Sequence, residues 1–243
     1  MNDDEIKKII GCLSIPRVSA YIDLGYKPDS KELIDAYFAL QEISSHFFVP
    51  IQIIEISLRN SIHHALSKRF PFDEKNGKNW YDLLPISDDS KKMLLTAKSK
   101  AKANNDKKGG AGYSEDDLIS NIMFGFWVHM LESVHVVPNL AVNPYHFWQY
   151  ELDNIFPGRD KHSVVAIFSL LKRINFYRNR LYHHEPVWKG NKVKNINDAI
   201  DSLNREYSKV LDIIKLLSPE KLNYMLSIGY KEKFVECCAK YRK

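Results

Sequence analysis

The sequence predicts an all-α protein. Apolar residues recur at i, i+3, i+4 and i+7 along nearly the whole chain. Several of these stretches open on a helix-start signature, and strict apolar–polar alternation between turn signals is scarce. Of the 243 residues, 44% are hydrophobic and 12% aromatic, enough to bury a core and too many for a disordered chain.

In chain order, helices are expected over 3–11, 31–48, 50–69, 88–104, 115–133, 144–155, 161–184, 194–216, 219–227 and 230–241. In 50–69, Ile51, Ile54, Leu58, Ile62 and Ala65 form one apolar stripe. The 115–133 helix follows Ser114, an N-cap residue, and has Glu115, Asp116 and Asp117 in its first turn, where the helix dipole favours acids. In 161–184 the stripe is Ile167, Leu170, Ile174, Tyr177 and Leu181, and Pro186 stops the helix by disfavouring helical geometry at Glu185. Ser218 caps 219–227, with Pro219 at its first position. The best place for a strand is Val134 to Val142. Lys98 to Tyr113 combines many lysines with a Gly-rich end and reads as a basic loop with a frayed helix end. It is either a solvated linker or an arm on a phosphate backbone.

Three cysteines, Cys12, Cys237 and Cys238, show no CxxC spacing, so neither a disulfide framework nor a zinc site is expected. His129, His135 and His146 lack ligand spacing with acids or cysteines; no metal and no cofactor are expected. No apolar run is long enough for a membrane span, and the acidic start leads into no signal sequence, which predicts a cytoplasmic protein without a membrane partner. The net charge of +5 permits an anionic partner but carries little weight alone.

One short motif occurs twice. Arg59-Asn60 is followed by His63-His64, and Arg178-Asn179 by His183-His184. Both copies fall on strongly periodic helices, about half the chain apart. Asn60 and His64 are four residues apart, as are Asn179 and His183, so each pair shares a helix face away from the apolar stripe. Arginine is always cationic and can clamp a phosphate through two hydrogen bonds. Histidine titrates near neutrality and can move protons. Asparagine can orient an imidazole or a phosphate oxygen.

These residue types suit RNA cleavage. One histidine would take the 2′-hydroxyl proton, another would protonate the leaving 5′-oxygen, and the arginines would stabilise charge developing on the phosphate. A helix C-terminus attracts positive charge, which assigns His183 as general acid and His64 as base, although the roles are exchangeable. Helical facing prefers His64 and His183 as the reacting histidines, with His63 and His184 as adjacent alternatives and Asn60 and Asn179 in support. Arg180 reads equally as a phosphate ligand or a solvated charge. Lys189, Lys192 and Lys194 either extend an RNA-binding surface or form a solvated turn. Trp188 and the Phe124-Gly125-Phe126-Trp127 segment are read as core rather than base-stacking platforms.

The segment Arg178-Asn179-Arg180-Leu181-Tyr182-His183-His184-Glu185-Pro186 resembles the signature of the Abi-like proteins of bacterial abortive infection, the AbiD/AbiF group. Ser14 to Val18 resembles that family's opening segment, Ile54 to Asn60 its Glu-x-x-Leu-Arg-Asn helix, and Phe124 to Trp127 its Gly-Phe-Trp element. The resemblance implies HEPN-type helical bundles, similar to the nuclease domains of type VI CRISPR effectors. It implies metal-independent RNA cleavage with Arg59, His64, Arg178 and His183 as catalytic residues. It also implies a role in phage defence or toxicity and a small non-coding RNA partner that restrains or directs the protein. Two pseudo-repeated halves are expected, 1–112 and 113–243, each with one motif. If only the second motif is catalytic, the site requires a second subunit and hence a homodimer. The competing expectations are a non-catalytic RNA-binding protein and a protein-interaction module of a defence complex.

Overall fold

The computed structural model describes residues 1–107, 109–110, 112–132 and 146–243. Among them the chain is all-α, and the only β pairing is an isolated bridge between Asp73 and Lys78. The strand expected at Val134 to Val142 lies outside the described residues.

The helices are α1 (Asp3–Leu13), α2 (Ile15–Ile22), α3 (Lys31–Ser45), α4 (Phe48–Arg69), α5 (Trp80–Leu83), α6 (Asp88–Lys107), α7 (Glu115–Asn121), α8 (Phe124–His129), α9 (Trp148–Ile155), α10 (Val164–Tyr182), α11 (Ile196–Leu217), α12 (Pro219–Ser227) and α13 (Tyr230–Tyr241). Two were not expected. The eight-residue α2 carries a proline in its first turn, where the missing N–H costs nothing, and α5 is a single turn closed by an Asn79/Asp82 capping box. The helix expected over 115–133 is two: Ile122 and Met123 take extended backbone between α7 and α8. The lysine-rich stretch from Lys98 is not a loop as far as Lys107; it continues α6, with Ala101 buried and Lys98 Nζ 2.9 Å from Asp82 Oδ1.

The chain forms two compact units. The first comprises Met1–Gln52, Phe176–Lys215 and Glu220–Lys243; the second comprises Ile53–Asn175 and Leu216–Pro219. These units do not follow a division at 112/113, since the first draws on both sides of that point and the second spans it.

In the first unit α1, α2 and α13 pack on α3. Its centre is an aromatic cluster: Tyr207 and Phe234 stack at 3.8 Å, and Phe47 meets Tyr177, Tyr207 and Phe234 at 5.1, 5.2 and 5.8 Å. Tyr177 and Leu181 thereby bury the inner face of the last turns of α10. Trp188 is buried against Tyr21, edge to face at 5.2 Å, so it is a core residue.

In the second unit Ile54, Leu58, Ile62 and Ala65 bury one side of α4, and Ile167, Leu171 and Ile174 one side of α10. Leu170, expected in that stripe, is only half-buried, and Leu171 fills the core position. Trp80, Phe126 and Trp127 pack within 6.4 Å of one another, so the Phe124 to Trp127 segment is core. Trp148 Nε1–H donates to the Met130 carbonyl at 2.7 Å.

Candidate functional site

The two motif copies lie in different units, Arg59 to His64 in the second and Arg178 to His184 in the first. Each is described within its own unit.

In the second unit, burying Ile54, Leu58, Ile62 and Ala65 turns Asn60 and His64 outward, because they sit about 155° and 115° around the helix from the middle of that line. Arg59 Nε donates to Asn60 Oδ1 at 3.1 Å, so the asparagine carbonyl is held by the neighbouring guanidinium. Asn60 and His64 then line an open groove of about 650 Å³, together with Ser61, Lys68 and Arg69 of α4 and Glu151 and Asn154 of α9. Arg69 lies 4.2 Å over the Tyr150 ring and 3.7 Å from Glu151 Oε1, tying α9 to the end of α4. Asn154 Nδ2 donates to Glu151 Oε2 at 2.9 Å, so the groove's carboxylate is engaged on both oxygens.

The adjacent His63 is placed quite differently. Its Nδ1 accepts from Trp80 Nε1–H at 3.1 Å and also lies 3.3 Å from Ser67 Oγ. An indole N–H can only donate, so Nδ1 must present its lone pair. A proton there would set two donors against each other. Burial lowers the pKa of His63 below the ordinary histidine value, only partly countered by the Glu115 and Asp116 carboxylates. His63 is therefore a neutral partner of a buried tryptophan, and His64 is the imidazole on the groove.

In the first unit, α10 ends in a Schellman motif built on the second copy. The Glu185 N–H donates to the Arg180 carbonyl at 2.9 Å, and the His184 N–H to the Leu181 carbonyl at 3.0 Å. His184 takes the left-handed conformation (φ 56°) that this ending requires and glycine usually supplies. The helix thus stops before Pro186 takes effect, and His183 becomes the C-cap residue, exposed one turn after Asn179. Arg178 Nη1 donates to Asn179 Oδ1 at 3.4 Å, the same neighbour-to-neighbour bond as in the first copy. The Arg178 guanidinium also lies 4.3 Å over the Tyr182 ring.

Arg17 of α2 completes this turn. Its Nη1 donates to the carbonyls of His184 and His183 at 3.0 and 3.3 Å, placing a cation on the unsatisfied end of α10. Arg180 is also absorbed by the turn: Nε donates to Glu185 Oε2 at 3.2 Å and Nη2 to the Pro186 carbonyl at 2.7 Å. Lys189 pairs with Asp23 at 3.0 Å. Arg180, Trp188, Lys189 and Lys194 line a cleft of about 450 Å³. Lys192 is exposed and does not line it.

Sequence reasoning missed Lys68, Arg69, Glu151 and Asn154 in the groove and Arg17 at the turn. Lys68 had a signal, since Asn60, His64 and Lys68 follow one another at intervals of four. Glu151, Asn154 and Arg17 had none, because their contacts span long stretches of chain. Among the described residues no cluster of three or more His, Cys, Asp or Glu is placed to hold a metal ion, and no helix is long and apolar enough to cross a membrane. No protein-family model, curated protein or solved structure matches this chain.

Proposed function

We propose that this protein is a metal-independent endoribonuclease that uses Arg59 and His64 together with Arg178 and His183. The observation that carries the reading is the shared construction of the two motifs: in each, an arginine holds the carbonyl of the next asparagine, with a histidine exposed one turn further on. Surface packing alone does not call for arginine, asparagine and histidine in that order twice. The internal use of His63 sharpens the pattern by leaving His64 as the first motif's reacting group.

The chemistry is transfer of an RNA phosphodiester to its own 2′-oxygen. One imidazole removes the 2′-hydroxyl proton, the 2′-oxygen attacks phosphorus, and the other imidazole protonates the departing 5′-oxygen. The guanidinium groups stabilise the charge gathering on the non-bridging oxygens. The products are a 2′,3′-cyclic phosphate and a 5′-hydroxyl. The resemblance to Abi-like proteins supports a cytoplasmic role in phage defence or toxicity, with a small structured RNA as regulator.

End-labelled RNA incubated with the purified protein in EDTA tests this. Cleavage leaving cyclic phosphate ends, lost in both His64→Ala and His183→Ala, is the expected result. Loss in His183→Ala alone would favour a homodimeric site built on the second motif. RNA bound but never cut, under any condition, would overturn the enzyme in favour of a non-catalytic RNA-binding protein. RNA neither bound nor cut would leave the interaction module.

A further inference from the structure

We propose that Lys68 forms a second phosphate subsite, so that the groove on α4 takes two successive phosphates of an RNA strand, one at Asn60 and His64 and the next at Lys68. The inference rests on the ribonuclease reading for the first position and on the groove itself for the second.

Asn60, His64 and Lys68 lie on one line along α4, each a turn beyond the last, and all three line the groove. Four residues of helix advance about 6 Å, a step comparable with the separation of neighbouring phosphates along a strand. A cation at that interval beyond His64 meets the adjoining phosphate without any change in the helix.

The other charges in the groove are already committed. Arg69 is spread over Tyr150 and paired with Glu151, which builds the wall rather than the ligand site. Glu151 is engaged by Arg69 and Asn154, which weakens its repulsion of an anion. Lys68, by contrast, is exposed and forms no ion pair among the described residues. Its flexible ammonium suits a phosphate, which needs a point charge rather than a fixed hydrogen-bond pattern. The rival role for Lys68 is to offset the dipole at the end of α4.

A short 2′-O-methyl RNA oligonucleotide has no 2′-hydroxyl nucleophile, so its binding is measured apart from cleavage. Its affinity for the full chain is followed against salt concentration by fluorescence anisotropy. Each phosphate neutralised on a single strand contributes about 0.7 to the slope of log K against log salt. Lys68→Ala is expected to reduce the slope by about 0.7, Lys68→Arg to retain it, and Lys161→Ala, an exposed lysine before α10 and outside the groove, to leave it alone. An unchanged slope in Lys68→Ala, an equal loss in Lys161→Ala, or no binding by the unaltered protein would each overturn the subsite. A stability loss in Lys68→Ala at constant slope would assign the residue to the helix end instead. A Lys68-dependent slope with RNA that is never cut would keep the subsite and sink the ribonuclease; cut RNA with a Lys68-independent slope would do the reverse.

Discussion

Replacing Arg17 with alanine removes one nitrogen that donates to two carbonyls, those of His183 and His184, across 166 and 167 residues of sequence. Both carbonyls belong to the end of α10, and the lost group is a cation at the negative end of that helix. Arg17 is exposed, so water can replace part of what it gives, and the cost falls near about 1 kcal/mol rather than at the level of a buried charged bond. That corresponds to about a fivefold increase in the local opening of the turn. Hydrogen exchange reads it directly. The His184 and Glu185 amides, which close the Schellman motif, should exchange about fivefold faster in Arg17→Ala, while the amides of α11 keep their protection. Arg17→Lys should restore part of the difference, because it keeps the charge but not the planar fork. If the ribonuclease reading holds, kcat falls by about tenfold with little change in KM, since the variant loosens the turn carrying His183 without touching substrate. Unchanged exchange over residues 181–187, or acceleration spread evenly through the chain, would refute the reasoning that Arg17 acts on this turn.

Four further outcomes follow from individual side chains. His63→Ala leaves the Trp80 indole N–H without its acceptor and should cost about 1–3 kcal/mol, read as a lower urea midpoint by tryptophan fluorescence; an unmoved midpoint would mean that the indole finds another partner. The same bond makes stability pH-dependent. The folded pKa of His63 is lowered by burial, as is that of His46, so the unfolded chain binds more protons near pH 6. Their contribution is complete above the unfolded histidine value of about 6.5 and is lost as pH falls through that value toward the folded ones; His63→Asn should flatten the urea midpoint against pH, and an equally steep dependence would exclude His63 as a source. His184→Gly relieves a left-handed backbone at a non-glycine residue and should raise stability by about 0.5–1 kcal/mol; a lower urea midpoint would show that the imidazole contributes to the turn. Cys237 and Cys238 are buried and their thiols pushed up to about 11 by burial, while Cys12 is exposed, so a thiol-specific reagent near neutral pH should label one cysteine in the native protein and three after denaturation.

Local pattern along the chain was enough to show that this protein is helical, where most helices run, and which faces of α4 and α10 are buried. Those properties are local: a 3.6-residue period, a serine before acids, or an apolar stripe writes its consequence within a few turns of itself. Motif spacing alone likewise placed Asn60 with His64 and Asn179 with His183, because a helix fixes which residues share a face. Long-range packing supplied what local pattern could not. Helical facing preferred His64 but left His63 as an alternative, and Trp80, brought alongside from seventeen residues away, turns His63 into a neutral packing partner and leaves His64 on the groove. The end of α10 was legible from Pro186, but the left-handed His184 and the Arg17 contact were not, since a cation 167 residues away has no periodic signature. Glu151 and Asn154 enter the groove for the same reason: α9 meets α4 through packing, and packing partners are chosen by the whole chain rather than by the segment that receives them.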